Sequence, residues 1–183
     1  MAGIQDGLIA DEDFLKEALR QSAFSRDPNT RVGAVIVSPF KHIRSMGFNR
    51  FPRRLAYTPE RLQNRDLKNR LMVHAERAAI TDAAKRGMAI NGCTLYLAAT
   101  DDSGLIWGGC PCLACTIEII EGGIAEIVSF APKAVSKWAD DLMFAESIMA
   151  ECRIPVRYVQ TTKDLTCITE DAKVPSQFVE KVG

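Results

Sequence analysis

The chain has 183 residues, an apolar fraction of 47%, and 23 basic residues against 23 acidic ones, so its net charge is zero. This length suits one domain with a sizeable core. The charge balance argues against binding to long nucleic acid, which usually requires a basic surplus. No apolar run approaches the roughly 20 residues of a membrane-spanning helix, and residues 1–13 do not resemble a signal peptide. We therefore expect a cytoplasmic protein without membrane contact that acts on a small molecule.

Hydrophobic periodicity predicts helices alternating with strands. In chain order the predicted elements are a helix at 11–24, a turn at 25–30, strands at 32–37 and 43–48, a helix at 72–86, a strand at 93–99, a helix at 113–121, a strand at 125–130, a helix at 138–152 and a strand at 156–159. This alternation indicates an α/β domain with a mixed sheet over residues 1–160. Residues 161–183 have little periodicity and form a tail that is docked or mobile.

A long polar connection over residues 50–70 separates the hairpin from the next helix. It contains seven basic and two acidic residues, a local charge of +5. One interpretation is a solvated surface segment, because most loops lie at the surface. The other is an anion site for a phosphate-bearing ligand, because arginine matches phosphate well.

Two short motifs stand at the starts of predicted helices, His74-Ala75-Glu76 and Pro111-Cys112-Leu113-Ala114-Cys115. Cys112 and Cys115 are three residues apart, so both sulfurs project to one side of a helix. With His74 they supply three zinc ligands and leave a fourth position open, as in catalytic sites. Glu76 points elsewhere and can act as the proton carrier. The order His-x-Glu…Pro-Cys-x-x-Cys is the signature of zinc nucleobase deaminases.

Three alternatives for these cysteines remain open. A purely structural zinc site would require a fourth protein ligand. A thioredoxin-like redox pair would explain the cysteines and leave His74 and Glu76 without a role. Cys110 could compete as a ligand, but Pro111 interrupts its helical spacing, which favours Cys112 and Cys115.

The sequence resembles the cytidine deaminase superfamily and, within it, the deoxycytidylate (dCMP) deaminases, from about residue 14 to residue 159. The matching segments are Ser25-Arg26-Asp27-Pro28-Asn29-Thr30-Arg31-Val32-Gly33-Ala34-Val35-Ile36-Val37, Gly47-Phe48-Asn49-Arg50-Phe51-Pro52, the two metal motifs and Gly123-Ile124-Ala125-Glu126-Ile127-Val128. The resemblance implies a three-layer α/β/α fold with a mixed five-stranded sheet. It also implies a Zn²⁺ cofactor, conversion of dCMP to dUMP, homo-oligomers that are commonly hexamers, and control by dCTP and dTTP.

Further site residues follow from the resemblance. By position, Asn49 corresponds to a residue that contacts the substrate sugar, and Arg26 and Asn29 lie where nucleotide-binding groups cluster. Ala75 is a further candidate within its motif. Asn49 could instead stabilise its own turn, since asparagine favours turns.

The sequence also departs from the family pattern. Residues 100–109 are inserted before the cysteine motif and predict a flexible loop at the pocket mouth. In that loop Trp107 could stack on a base or cover the edge of the core. Ala78 replaces a common Asn, and Arg50 replaces a common Gly.

These departures leave the base undecided. The leading hypothesis is deamination of dCMP. The alternatives are deamination of a 5-modified dCMP, deamination of another free base or nucleoside, or a catalytically idle oligomer that binds nucleotides. A tRNA adenosine deaminase is disfavoured by the zero net charge.

Overall fold

The computed structural model describes residues 10–132 and 139–160. The strands are β1 (Arg31–Val37), β2 (Ile43–Phe48), β3 (Thr94–Thr100), β4 (Ile106–Trp107), β5 (Glu126–Phe130) and β6 (Val156–Val159). The helices are α1 (Asp11–Ser22), α2 (Pro59–Gln63), α3 (Arg65–Leu71), α4 (Ala75–Lys85), α5 (Leu113–Glu121) and α6 (Ala139–Glu151).

One mixed sheet organises the chain, with strand order β2-β1-β3-β5-β6. β1 pairs antiparallel with β2 and β3, and the β5 and β6 strands then add in parallel. The short strand β4 pairs antiparallel with the end of β3. The mixed five-stranded sheet is thereby confirmed, and β4 is a sixth strand that was not predicted.

Helices cover both faces of this sheet. On one face α1 buries Phe14, Leu15, Ala18 and Leu19 against alternate residues of β1, β3 and β5. On the other face α4, α5 and α6 enclose a second core that contains Ala79, Ile119 and Met149. The result is the expected three-layer α/β/α arrangement, with both metal motifs in the α4–α5 layer.

Two glycines allow the helices to approach the sheet closely. A Cβ atom on Gly33 would overlap the backbone of α1 at Ala18. A Cβ atom on Gly47 would lie 2.5 Å from the carbonyl oxygen of Ala75, in the first turn of α4. Since such contacts are too short for real atoms, Gly47 permits the position in which α4 presents its amino terminus.

The connection at 50–70 is more ordered than predicted, because it contains α2 and α3. The Thr58 hydroxyl accepts a hydrogen bond from the Arg61 amide (3.4 Å) and caps α2. The Asn64 side chain accepts one from the Leu67 amide (3.0 Å) and caps α3. These are ordinary helix-start signals.

Helix boundaries differ from the predictions near the metal motifs. Helix α4 begins at Ala75 rather than at residue 72, because His74 is extended (φ −66°, ψ 157°) and occupies the cap position.

The predicted tail at 161–183 and Trp138, the first residue of the predicted helix at 138–152, lie outside the described residues. Among the helices that the structure describes, none is long and apolar enough to cross a lipid bilayer.

Candidate metal centre and active site

The three predicted metal ligands meet at the starts of two neighbouring helices. His74 is the N-cap of α4 and Cys112 is the N-cap of α5, each with extended backbone. Neither side chain caps its own helix, so both turn toward each other. Cys115 lies in the first turn of α5 and is buried.

The geometry of these ligands fits zinc. The Sγ atoms of Cys112 and Cys115 lie 3.3 and 3.5 Å from Nδ1 of His74. Tetrahedral bonding at ordinary Zn–S and Zn–N lengths requires about 3.5 Å between nitrogen and sulfur. The ligand atoms of these three side chains all lie within 4.8 Å of one another. Within residues 10–132 and 139–160, no other group of three or more His, Cys, Asp or Glu side chains meets this condition. The donor set therefore fits Zn²⁺ with one coordination position left for a non-protein ligand.

The pKa values of the three candidate ligands are shifted by their contacts with one another. Hydrogen bonds from Cys115 and His74 lower the pKa of Cys112 to about 4. The pKa of Cys115 is raised, because its thiol is hydrogen-bonded to the Cys112 sulfur and is buried. The pKa of His74 is raised, first by its hydrogen bond to Cys112. Both cysteines lie at the start of α5, where the helix amino terminus favours negative charge.

Glu76 lies in the first turn of α4, two residues after His74, and its carboxyl group is a candidate proton carrier. The residue is only 6% exposed, and burial raises the pKa of its carboxyl group. Because Glu76 follows the ligand His74 by two residues in the first turn of α4, it borders the ligand cluster. A buried carboxyl group beside a metal site can both accept and return a proton.

A salt bridge that the sequence analysis did not identify joins the two metal-bearing helices. The guanidinium of Arg77 on α4 contacts the Glu118 carboxylate on α5 through Nη2 (2.6 Å) and through Nε (2.8 and 3.0 Å). Since this pair is bidentate, it fixes the orientation of the helices as well as their separation. The two residues are 41 positions apart, so no local signal predicts the pair.

Comparison with known proteins places this centre in a family. Residues 9–131 match the cytidine and deoxycytidylate deaminase zinc-binding region. The chain belongs to this family. Its zinc cofactor, its hydrolase class and the resemblance inferred from sequence are thereby confirmed.

Individual relatives agree with this assignment. The chain is 30% identical to human deoxycytidylate deaminase over 127 residues, which are 67% of this chain and 65% of the human protein. It is 28% identical over 152 residues to an uncharacterized deaminase in the luxG 3' region of Aliivibrio fischeri, covering 80% of this chain and 90% of that one. The apo dCMP deaminase of cyanophage S-TIM5 superposes with a TM-score of 0.62 at 19% identity, over 81% of this chain and 96% of the phage chain. The last likeness concerns the fold alone.

Asn49, a predicted sugar contact in this deaminase, has structural partners in the protein. Its Oδ1 accepts a hydrogen bond from the Val32 amide (2.7 Å), and its Nδ2 donates to the Thr30 carbonyl (2.8 Å). The next residue, Arg50, forms a two-way backbone bridge with Val73, the neighbour of His74. Asn49 is therefore held next to a backbone bridge that leads to the metal motif, and its role toward substrate stays a prediction.

Arg26 and Asn29 lie together on an exposed turn. The Arg26 guanidinium stands over the Tyr57 ring, 5.2 Å from its centroid. Asn29 and Tyr57 line a cleft of about 550 Å³ with Pro28, Pro59, Leu62 and Gln63. Tyr57 was not singled out from the sequence, and its proximity to Arg26 became evident only in the fold.

The inserted segment at 100–109 is anchored to the domain at several points. Asp102 forms an ion pair with Arg31, and the Gly109 amide donates to the buried Ser129 hydroxyl (2.9 Å). Ile106 belongs to the core beneath α1. Because side chains alternate along a strand, the adjacent Trp107 faces the opposite layer, which carries α4 and α5. Trp107 is partly buried there, and neither of its two interpretations is excluded.

The remaining candidates separate clearly. The Ala75 side chain is fully buried in the core, so only its main-chain N–H, in the first turn of α4, is available to a ligand. Cys110 is buried outside the ligand cluster, and burial raises the pKa of its thiol to about 12. Cys93 is buried and Cys152 is exposed.

Proposed function

We propose that this deaminase hydrolyses the 4-amino group of a cytosine nucleotide, converting dCMP and water to dUMP and ammonia. The observation that carries the proposal is the buried Glu76 carboxyl group next to the His74, Cys112 and Cys115 cluster. The human relative, at 30% identity, is a deoxycytidylate deaminase, which supports dCMP as the substrate.

Zinc, when bound by His74, Cys112 and Cys115, supplies the Lewis acidity that makes water a nucleophile near neutral pH. Glu76 accepts a proton from the attacking water and delivers it to N3 of the pyrimidine ring. Attack of the water oxygen forms the C4–O bond and makes C4 tetrahedral. Glu76 then takes the second proton from the new C4 hydroxyl and passes it to the amine, so that the C4–N bond breaks, the carbonyl forms and ammonia leaves. Burial raises the pKa of the Glu76 carboxyl group, which favours its return of a proton to the substrate.

Four groups orient the nucleotide in this proposal. The Ala75 N–H, in the first turn of α4, donates to the carbonyl oxygen of the base. Asn49 contacts the sugar, and Arg26 with Asn29 receives the phosphate. A guanidinium suits this last role because it carries a permanent charge and donates in a planar fork.

One observation favours a second candidate, a deaminase of 5-modified dCMP or of another base. The segment at 100–109 is pinned by Asp102 and Gly109, and Trp107 faces the layer of the metal centre. A fixed aromatic wall of this kind can select the substituent of a base. A catalytically idle nucleotide-binding oligomer remains the alternative outside enzymes.

Ammonia release from the zinc-loaded protein tests the proposal on a panel of substrates. The panel is dCMP, 5-methyl-dCMP, 5-hydroxymethyl-dCMP, CMP, deoxycytidine, cytosine, adenosine and guanine. Preferred turnover of dCMP is expected. Preference for a modified or unphosphorylated substrate would favour the second candidate, and no turnover with full zinc occupancy would favour the idle oligomer.

Other properties remain predictions beside this function. They are a cytoplasmic location, assembly into a homo-oligomer such as a hexamer, and control by dCTP or dTTP. The oligomer is measured by light scattering, and effector control by the response of turnover to each triphosphate.

A further inference from the structure

A buried ion pair joins helix α3 to the turn at residues 25–30. The Nζ atom of Lys68 lies 2.9 Å from both carboxylate oxygens of Asp27. The two side chains are only 5% and 7% exposed. Lysine and aspartate are seldom so deeply buried unless they are paired, so each of these charges depends on the other.

The same carboxylate determines the shape of the turn. Asp27 Oδ1 accepts hydrogen bonds from the Asn29 amide (2.8 Å) and the Thr30 amide (3.1 Å). The Asp27 amide donates in turn to the Ser25 hydroxyl (3.2 Å). Since Lys68 is the cation that faces Asp27, it fixes the position of the whole turn relative to α3.

This turn is the one that presents Arg26 and Asn29. Arg26 lies over the Tyr57 ring, and that ring stacks on Phe51 with centroids 4.6 Å apart. The Tyr57 hydroxyl accepts a hydrogen bond from the Phe51 amide (2.8 Å). Phe51 adjoins Arg50, whose backbone pairs with Val73 beside the metal ligand. A continuous series of contacts therefore runs from Lys68 through the turn to the edge of the metal centre.

We propose that Lys68 is a positioning residue that holds Arg26 and Asn29 in register to receive the phosphate and sugar of the nucleotide. The inference rests on the proposed function. A buried ion pair is weak evidence for stability, because removing both charges from water offsets much of their attraction. Its benefit here is a single conformation of the turn, and preorganised groups bind a ligand without first being ordered.

Lys68→Met, the double variant Asp27→Asn/Lys68→Met and the control Lys85→Met test this role. The amide introduced by Asp27→Asn keeps an acceptor oxygen for the Asn29 and Thr30 amides and leaves no unpaired buried charge, so we expect the double variant to fold even where Lys68→Met is unstable. Lys85 is an exposed lysine near the end of α4. We expect KM for dCMP to rise roughly tenfold in both Lys68 variants, equivalent to one tenfold step in affinity. We expect kcat within about threefold of the parent value and unchanged zinc content.

A purely structural pair would give a different result. It would lower kcat in proportion to the folded fraction and leave KM unchanged, and this outcome would overturn the proposal. The Lys85→Met variant is expected to match the parent protein in both constants.

Amide hydrogen exchange supplies a readout that needs no turnover. In the double variant the Asn29 and Thr30 amides should exchange at least about tenfold faster, while β1 and β3 amides keep their protection. Unchanged protection of the turn would overturn the positioning role. If the parent protein fails to deaminate dCMP, the proposed function fails by itself, and the exchange result still decides whether Lys68 orders the turn.

Discussion

The metal centre and the wall proposed to face the nucleotide are built in opposite ways. The wall comprises the turn at 25–30, residues 49–58 and helix α3. All four groups of the metal centre come from two motifs of three and five residues, each at the start of a helix. The wall is joined by pairs distant in sequence, such as Lys68 with Asp27, 41 residues apart. Functional residues that lie close together in sequence at a helix start can be predicted from their spacing. Pairs that only the packing of distant segments brings together cannot be predicted in this way.

The two regions also differ in how they treat charge. The metal centre places His74 and Cys112 at helix amino termini, with Cys115 in the first turn of α5, where a cation can bind all three. Two acidic residues outside the 50–70 segment offset part of its charge: Lys68 pairs with Asp27, and Arg53 lies 3.8 Å from Asp82. The local surplus of +5 in the sequence therefore overstates the positive charge that this surface offers to a ligand.

The largest effect is expected from breaking the metal centre itself. Cys112→Ser replaces a thiolate ligand with a hydroxyl group that binds zinc weakly. Zinc affinity should fall by more than about 100-fold, the upper range for changes to groups that merely support ligands. Metal content by atomic absorption and ammonia release check this result.

Cys152→Ser is the matched control, because Cys152 is exposed and lies outside the ligand cluster. Cys110→Ser adds a second control that tests the competing ligand. Zinc loss in Cys110→Ser with retention in Cys112→Ser would reverse the assignment.

A smaller effect should follow from moving the helix that carries His74. The Cβ atom of Gly47→Ala meets the Ala75 carbonyl oxygen, so α4 must shift away from the sheet. We expect a loss of about 1–3 kcal/mol in the free energy of unfolding, typical of overpacking, together with weaker zinc binding. Urea denaturation and competitive zinc titration measure the two quantities.

Gly33→Ala is the matched variant on the opposite face, where the added atom meets α1. It should destabilise the protein by a similar amount and leave zinc affinity unchanged. If the Gly47→Ala and Gly33→Ala variants bind zinc equally well, zinc binding does not depend on the close approach of α4 to the sheet.

Substitutions in the wall should change KM for the nucleotide and leave zinc affinity unchanged. Arg26→Gln removes the guanidinium proposed to bind the phosphate. Loss of a charge-assisted hydrogen bond of about 1.5 kcal/mol corresponds to a rise of roughly tenfold in KM for dCMP. Deoxycytidine, which has no phosphate, should show little change.

Arg20→Gln on α1 is a control that removes an exposed arginine paired with Glu17. It should leave both KM values unchanged. An equal rise in KM for dCMP and deoxycytidine in Arg26→Gln would exclude phosphate recognition by this residue.

The smallest effects are expected from charge reversal in the basic segment, at Arg50, Arg53 or Arg54. Exposed charges contribute about 0.2–1 kcal/mol, so KM for dCMP should rise by up to about fivefold. The largest rise is expected at Arg50, whose backbone pairs with Val73 beside His74. Steady-state kinetics measure each variant, and an unchanged KM across all three would remove the segment from the substrate site.

Sequence alone predicted the parts of this protein that depend on local pattern. Short apolar runs marked the five main strands, and the spacing of the two motifs predicted that His74, Cys112 and Cys115 lie together. The role of Glu76 stays a prediction. Helix α3 was missed although its cap, Asn64, was visible, because the surrounding charges suggested a solvated loop. A two-residue strand such as β4 is too short to show any period.

The rest could not be predicted because it depends on partners brought together by the fold. Lys68 appears in the sequence as one more surface charge, and only the packing of α3 against the turn buries it. The sequence likewise does not predict the ion pair between Arg77 and Glu118 or the contact of Arg26 with the Tyr57 ring.

The most direct test of the account is Glu76→Gln in the zinc-loaded protein, with zinc content and dCMP deamination measured on the same sample. Glutamine keeps the shape of the side chain and cannot carry the proton. We predict full zinc occupancy with kcat reduced by about 100- to 10,000-fold, the range for loss of a general acid–base group. Glu12→Gln, an exposed change on α1, should retain full activity. Undiminished turnover in Glu76→Gln would contradict the assignment of Glu76 as the proton carrier.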